Sequence, residues 1–143
     1  MASSQNLMGL GMAPFLAARV GMHVAAITCA GATAGAATQI GGRQGIYYCN
    51  ASNSGSGLAL PKVGGEGPAN GILLGDFVEV ANIIGATIYV YANANDGGSA
   101  VTFFGGGLSA AGTTGISVAT GFSAIFQPIT VSTWIFTRSP ASA

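Results

Sequence analysis

From residue 22 onward, apolar residues alternate with polar or small ones, the period of a β-strand that has one buried face. The clearest stretch is 76–82, where Val78 and Val80 share one face while Glu79 and Ala81 share the other. The same alternation predicts a series of short strands. They lie at 22–29, 46–50, 57–60, 76–82, 86–92, 100–104, 115–119, 122–127 and 131–138.

Turn-forming residues separate these predicted strands. The run Asn93-Ala94-Asn95-Asp96-Gly97-Gly98 is a strong turn sequence, and the short link Ile83-Ile84-Gly85 predicts a hairpin between 76–82 and 86–92. Many short strands with frequent turns are typical of sandwiches, jelly rolls and barrels. We therefore expect an all-β fold, a β-sandwich or jelly-roll-like domain with a short N-terminal arm or helix.

The first twenty residues differ from the rest of the chain. Leu7, Leu10, Phe15, Leu16 and Val20 can form one face of a short helix, and this face needs a docking surface. The predicted organisation is an anchoring arm at 1–20, a β-sandwich domain at 21–138 and a C-terminal tail at 139–143.

Charge is scarce in this protein, with four basic and four acidic residues in 143. An ordinary domain has about a quarter charged residues. A chain of this size exposes roughly 6,700 Å², so each charge serves about 800 Å², close to one partner's share of a standard interface. Strand edges also lack the charges that normally prevent pairing between molecules. The composition favours a subunit that is surrounded by other protein.

A formal net charge of zero, with Arg19, Arg43, Lys62 and Arg138 scattered along the chain, argues against a nucleic-acid partner. The charge-free stretch 20–42 is long enough to span a bilayer, but it is rich in Ala, Gly and Thr. We therefore expect no membrane insertion.

Cys29 and Cys49 are compatible with either a disulfide or two buried thiols.

No residue pattern indicates catalysis. His23 is the single histidine, so a catalytic triad would need it beside a Ser and an Asp from elsewhere in the chain. The carboxylates are dispersed, metal-ligand spacing is missing, and no glycine cluster has the form of a phosphate-binding loop. We expect no enzyme activity, no cofactor and no metal site.

Aromatic residues offer one alternative function. Tyr89 and Tyr91 fall on one side of a predicted strand and, with Tyr47, Tyr48 and Trp134, can line a sugar-binding face. Aromatic residues on a β face also serve as core or interface anchors. The alternative is thus a glycan-binding β-domain of a phage fibre or another surface-exposed module.

One longer pattern has a familiar form. It consists of Gly75-Asp76-x-Val78-x-Val80-x-Asn82, Ile88-x-Val90-Tyr91, Ile116-Ser117-Val118-Ala119-x-Gly121-x-Ser123-Ala124-x-Phe126 and Thr133-Trp134. It resembles the β-domain of small tailed-phage virion proteins of the capsid decoration (cement) or head-fibre type. The segment 7–19 resembles the short N-terminal segment that precedes such domains.

This resemblance implies a structural virion protein, a capsid decoration subunit that stabilises the phage head through protein–protein interfaces. Its expected partners are the major capsid protein and further copies of itself in a homotrimer. Its expected location is the head surface of the virion, after synthesis in the host cytoplasm. The expected anchoring or interface residues are Leu10, Phe15, Leu16, Arg19, Trp134 and Phe136. Of these, Trp134 and Phe136 are expected to pack either in the core or between subunits.

Overall fold

The computed structural model describes residues 23–42, 44–64, 71–93 and 101–138, and all regular elements in these ranges are β-strands. The prediction of an all-β fold is confirmed. The strands are β1 (His23–Gly31), β2 (Thr38–Gln39), β3 (Gly45–Gly55), β4 (Gly57–Ala59), β5 (Val78–Asn82), β6 (Ile88–Tyr91), β7 (Thr102–Gly105), β8 (Leu108–Ala111), β9 (Ile116–Val118), β10 (Ser123–Thr130) and β11 (Thr133–Arg138).

The strands form where the sequence alternates, because alternate side chains of a strand point to opposite faces of its sheet. In β5, Val78 and Val80 are fully buried, whereas Glu79 between them is partly exposed. In β11, Trp134 is buried and the next residue, Ile135, is exposed. This local signal explains why most of the predicted strands coincide with observed ones.

The strands assemble into two sheets. The larger has seven strands in the order β1-β3-β5-β10-β11-β7-β8, and the smaller has four in the order β2-β4-β6-β9. Over its first six strands the chain alternates between the sheets, so that β1, β3 and β5 are parallel neighbours in one, and β2, β4 and β6 in the other. The chain thus makes three successive turns around the core, here called coils. Each coil contributes one strand to each sheet.

The second half of the chain ends this winding with antiparallel strands. β9 pairs antiparallel with β6, and β10 pairs antiparallel with β5. β10 and β11 form a hairpin, as do β7 and β8. The jelly-roll form of the prediction is not confirmed, because jelly rolls are antiparallel throughout and the coils here are parallel.

The two sheets share one hydrophobic core. The larger sheet contributes Phe103, Phe126 and Trp134, and the smaller contributes Leu58 and Val90. The ring of Phe126 packs edge-on against Phe103 at 5.8 Å and stacks on Phe136 at 5.9 Å between centroids. The two sheets therefore lie about a common core, a sandwich-like arrangement.

The predicted hairpin across Ile83-Ile84-Gly85 is wrong. β5 and β6 lie in different sheets, so this link carries the chain from one side of the core to the other. Its geometry is fixed by Asn82, which is 1 % exposed. The Asn82 amide donates to the Ala86 carbonyl at 2.8 Å and to the Val118 carbonyl at 2.8 Å, and its oxygen accepts from the Ile84 N–H at 3.1 Å.

A disulfide joins Cys29 of β1 to Cys49 of β3, which settles the state of the two cysteines. Both sulfurs are fully buried. The bridge fastens the first coil to the second across a loop of 20 residues. Closing a loop of this length stabilises a fold by about 3 kcal/mol in the chain-entropy description.

The predicted anchoring arm at 1–20 and the predicted tail at 139–143 lie outside the described residues. Within the predicted domain 21–138, the described ranges begin at His23 and end at Arg138. The boundaries of the arm and the tail therefore stay predictions.

Substituting Asn82→Ala removes three hydrogen bonds at the link between the sheets and leaves the buried Val118 carbonyl without this donor. We expect the free energy of unfolding to fall by about 3 kcal/mol, since an unsatisfied buried group costs about 1–3 kcal/mol. Urea unfolding followed by circular dichroism measures the change. The matched control is Asn50→Ala, which removes an exposed amide from β3. Equal losses in the two variants would contradict the role given to Asn82.

Candidate functional site

The surface of the larger sheet that points away from the core is here called the outer face. One row of cross-strand neighbours on it runs from Val24 of β1 through Ile46 and Glu79 to Ile125 of β10. Val24 is 59 % exposed and Ile125 is 40 % exposed. Aliphatic side chains therefore flank a single carboxylate in this row.

A second row on the outer face is more apolar at its centre. Ile135 of β11 lies opposite Phe104 of β7, with Gln127 and Ser109 on either side. Ile135 and Phe104 are 40 % and 45 % exposed. Two large apolar residues that are register partners on adjacent strands and open to solvent are the kind of patch that binds other protein.

Charge is nearly absent from this sheet. Among the residues of its seven strands, Glu79 and Arg138 are the charged ones. Arg138 is engaged with the smaller sheet, where its guanidinium donates to the carbonyl of Ser117 at 3.2 Å and to the Ser117 hydroxyl at 3.0 Å. Glu79 is thus the charge that the strands present on the outer face.

Among the described strands, β1 and β8 form the edges of the larger sheet. β1 is nine residues long and contains neither Lys, Arg nor Pro. Natural proteins commonly protect such an edge with charge, Pro or a bulge. β1 does have irregular register against β3 after Ile27 and again after Ala30, which limits the regular part of the edge to its first half.

A groove lies on the side of the smaller sheet that faces away from the core. We call it the tyrosine groove, and its volume is about 410 Å³. Its position follows from β6, where Ile88 and Val90 point into the core and leave the alternate residues Tyr89 and Tyr91 on the opposite side. The groove is lined by Gly31, Ala32, Gly55, Ser56, Tyr89, Tyr91 and Thr114.

Two glycines shape one wall of the tyrosine groove. Gly31 ends β1 and Gly55 ends β3, and they are register partners in the parallel pair. Gly55 has φ +131°, and a Cβ there would lie 2.5 Å from the Gly31 carbonyl oxygen. Only glycine allows the two backbones this approach, so the wall consists of main chain without side chains.

The two tyrosines have different environments. Tyr89 is 43 % exposed, whereas Tyr91 is 6 % exposed and donates its hydroxyl to the Ala32 carbonyl at 3.0 Å. The Tyr91 ring packs on Gly115, where a Cβ would lie 2.7 Å from the ring. Burial raises the pKa of the Tyr91 phenol above its usual 10.0, and the neighbouring Tyr89 raises it further. The Tyr91 side chain is therefore held in place and forms part of the groove wall, whereas the ring of Tyr89 is accessible to solvent.

Of the residues predicted to form an interface, the structure describes Trp134 and Phe136, both on β11. Trp134 and Phe136 lie in the core, where 1 % and 4 % of their surface is exposed. This position corresponds to core packing, one of the two roles expected for them. The exposed positions next to them in β11 are Ile135 and Thr137. Leu10, Phe15, Leu16 and Arg19 lie outside the described residues.

His23 stands at the start of β1, half-buried, with its ring 5.6 Å from that of Tyr47 on the neighbouring strand. In the ranges the structure describes, no group of three or more His, Cys, Asp or Glu side chains could hold a metal ion. In those same ranges, no helix has the length and apolarity needed to cross a membrane.

Comparison with models of protein families, with curated proteins and with solved structures found no match to this chain. The inferences that follow therefore depend on the outer face, the tyrosine groove and the sequence pattern.

Sequence reasoning found Tyr89 and Tyr91 through their alternation but missed the rest of the groove. Gly31, Gly55 and Thr114 come from three separate parts of the chain. Gly31 and Gly55 meet because β1 and β3 are parallel and finish at the same end of the larger sheet, and no local pattern carries that information. The outer-face pair of Ile135 and Phe104 was missed for a similar reason, since β7 and β11 are also parallel partners.

The raised pKa of Tyr91 predicts a loss of stability at alkaline pH. The unfolded chain releases this proton near pH 10, while the folded chain retains it to higher pH. Above pH about 10 the unfolded state therefore binds fewer protons, and the free energy of unfolding falls as pH rises. We expect Tyr91→Phe to be less stable by about 1 kcal/mol at neutral pH, through the lost hydrogen bond to Ala32, and to weaken with alkali less than the parent protein.

Urea unfolding at neutral pH and above pH about 10 tests this expectation. The difference between the two proteins at neutral pH serves as the internal control, because it contains the hydrogen-bond loss alone. A difference that stays constant with pH would show that Tyr91 does not cause the alkaline effect.

Proposed function

We propose that this chain is a structural virion protein, a capsid decoration subunit that binds and stabilises a phage head through protein–protein interfaces. The observation that carries the proposal is the outer face, where apolar side chains are exposed and Glu79 is the charge presented by the strands. A surface of this composition is stable in water when other protein covers it.

The centre of the contact is placed at Ile135 and Phe104. They are neighbours on adjacent strands, and Glu79 lies on β5, two strands away from β11. Two strand spacings are about 10 Å. A partner seated on Ile135 and Phe104 buries apolar surface and, at the size of a standard interface, also reaches Glu79. The partner must therefore offer a donor to this carboxylate, because desolvating it unpaired is costly.

The binding free energy available from such a contact is large enough to hold subunits together. Complete burial of a large aliphatic or aromatic side chain contributes about 1.5–3 kcal/mol, so a side chain that is already half-buried contributes on the order of 1 kcal/mol. Repeated over the exposed apolar residues of the outer face, and over every copy in a symmetric assembly, these contributions support a stable oligomer.

The particular setting is proposed from the sequence resemblance. It supplies the homotrimer, the major capsid protein as partner and the head surface as location. The apolar arm at 1–20 would anchor each subunit through Leu10, Phe15, Leu16 and Arg19. The role is mechanical, because interfaces that bridge capsid subunits add binding free energy to the shell. No catalytic step, cofactor or metal is part of this proposal.

Substituting Phe104→Glu places a charge at the proposed contact centre. We expect the unaltered protein to have the native mass of a trimer, and the variant to have that of a single chain, because burying an unpaired carboxylate costs several kcal/mol. Light scattering after size exclusion measures the mass. The matched control is Ile83→Glu, which charges an apolar residue that is 62 % exposed on the link between the sheets.

The control should keep the trimer mass. A single-chain mass for the unaltered protein at micromolar concentration would contradict the proposed assembly. Equal disruption by Ile83→Glu and Phe104→Glu would mean that the contact does not centre on Ile135 and Phe104.

Location on the head surface has its own test. Gold-labelled antibody raised against the protein should decorate the heads of intact virions of the phage that encodes it, because a decoration subunit is accessible from outside. Electron microscopy shows the position of the label, and tail-only label or its absence from intact particles would contradict the decoration role.

A further inference from the structure

We infer that the tyrosine groove binds a neutral saccharide. The groove lies between the smaller sheet and the ends of β1 and β3, and the inference is independent of the assembly proposed for the outer face. The inference is carried by the combination of an exposed aromatic ring, a wall of main chain and, among the described residues, an uncharged lining in one concave site of about 410 Å³. That volume lies within the roughly 300–1,000 Å³ of small-molecule sites.

The aromatic surface suits a sugar ring. A pyranose presents C–H groups on its flat faces, and these pack favourably against the electron-rich face of an aromatic ring. Tyr89 is 43 % exposed in the groove, so a ligand gains contact area there without displacing another side chain. Tyr89 combines an apolar ring with a hydroxyl, and a sugar ring has the same amphipathic character.

The polar groups of the groove are neutral. Among the lining residues that the structure describes, Ser56 and Thr114 carry hydroxyls and Tyr89 adds a phenol, while none has a charged side chain. Hydroxyls and backbone carbonyls can bond to the hydroxyls of a sugar, which both donate and accept. A charged ligand would lose hydration here and gain no opposite charge, so the lining favours a neutral ligand.

The groove is preorganised. The hydroxyl of Tyr91 is held by the Ala32 carbonyl and its ring lies on Gly115, so this wall loses no rotamer freedom when a ligand arrives. Gly31 and Gly55 bring two backbones together where any side chain would fill the space. Such fixed walls reduce the entropic cost of binding, which matters for a ligand that makes few contacts.

An extended peptide fits the same place less well. Peptides commonly bind β proteins by adding a strand to a free sheet edge. β6, which carries both tyrosines, lies inside the smaller sheet with β4 on one side and β9 on the other. Its backbone groups already belong to those ladders, so the groove offers side-chain and turn contacts instead of an open ladder.

The test uses the full chain, labelled with ¹⁵N, and a panel of neutral trisaccharides at millimolar concentration. The panel contains glucose, galactose, mannose and N-acetylglucosamine oligomers, with sialyllactose as the charged comparison. We expect at least one neutral member to shift the amide signals of Ser56, Tyr89, Tyr91 or Thr114, and the charged one to bind more weakly. Failure of every neutral member to shift these signals overturns the inference.

Variants then separate binding from structure. Tyr89→Ala should raise the dissociation constant at least about ten-fold, because it removes the exposed ring. Tyr89→Phe keeps the ring and should retain most of the affinity. The matched control is Leu73→Ala, which removes an apolar side chain of similar exposure (45 %) from outside the groove and should bind sugar like the unaltered protein. Unchanged affinity in Tyr89→Ala overturns the inference.

The same variants distinguish this inference from the proposed assembly. Tyr89→Ala should leave the native mass unchanged, whereas a charge at Phe104 should reduce it. If Tyr89→Ala instead dissociates the oligomer, the groove is a contact between subunits and the saccharide inference is wrong. Sugar binding by a protein that is a single chain would leave this inference standing while the assembly proposal fails.

Discussion

The fold depends on satisfying backbone polar groups at the points where the chain passes from one sheet to the other. Each of the three coils leaves a hydrogen-bonded ladder, turns past the edge of the core and enters the other ladder. Buried N–H and C=O groups at those turns need partners, because an unpaired one costs as much as a lost hydrogen bond. Side chains with neutral donors supply many of these partners.

These donors occur at successive turns. Gln39, at the end of β2 in the first coil, donates to the Leu60 carbonyl at 2.8 Å and to the Ile40 carbonyl at 2.9 Å, and its own oxygen accepts from Asn93 at 3.0 Å. Asn82 serves the link between β5 and β6, and Tyr91 serves the end of β1. Amides and a phenol thus satisfy turn carbonyls while adding no charge to the molecule, which is consistent with its very low charge content.

The sequence predicted the strand positions, which depend on neighbouring residues, and missed the pairing between residues that are far apart in the chain. Strand positions were predictable because alternation such as Val78-Glu79-Val80 depends on neighbours a few residues apart. The assignment of strands to sheets was not, since a link as short as 83–85 serves a hairpin and a crossover between sheets equally well. Parallel pairing joins residues such as Gly31 and Gly55 that are far apart in sequence. The groove and the outer face are made by that pairing. The sequence therefore indicated their aromatic and aliphatic residues but not the residues that lie beside them on neighbouring strands.

The stacked coils also have a consequence for how such a protein can change in size. A coil inserted between β4 and β5 would extend both sheets by one parallel strand, while the antiparallel strands β9 and β10 would still close the stack. The added length would be one strand spacing, about 4.8 Å. The length of the stack is therefore adjustable in discrete steps, while the disulfide at one end and the closing strands β9 and β10 at the other stay in place.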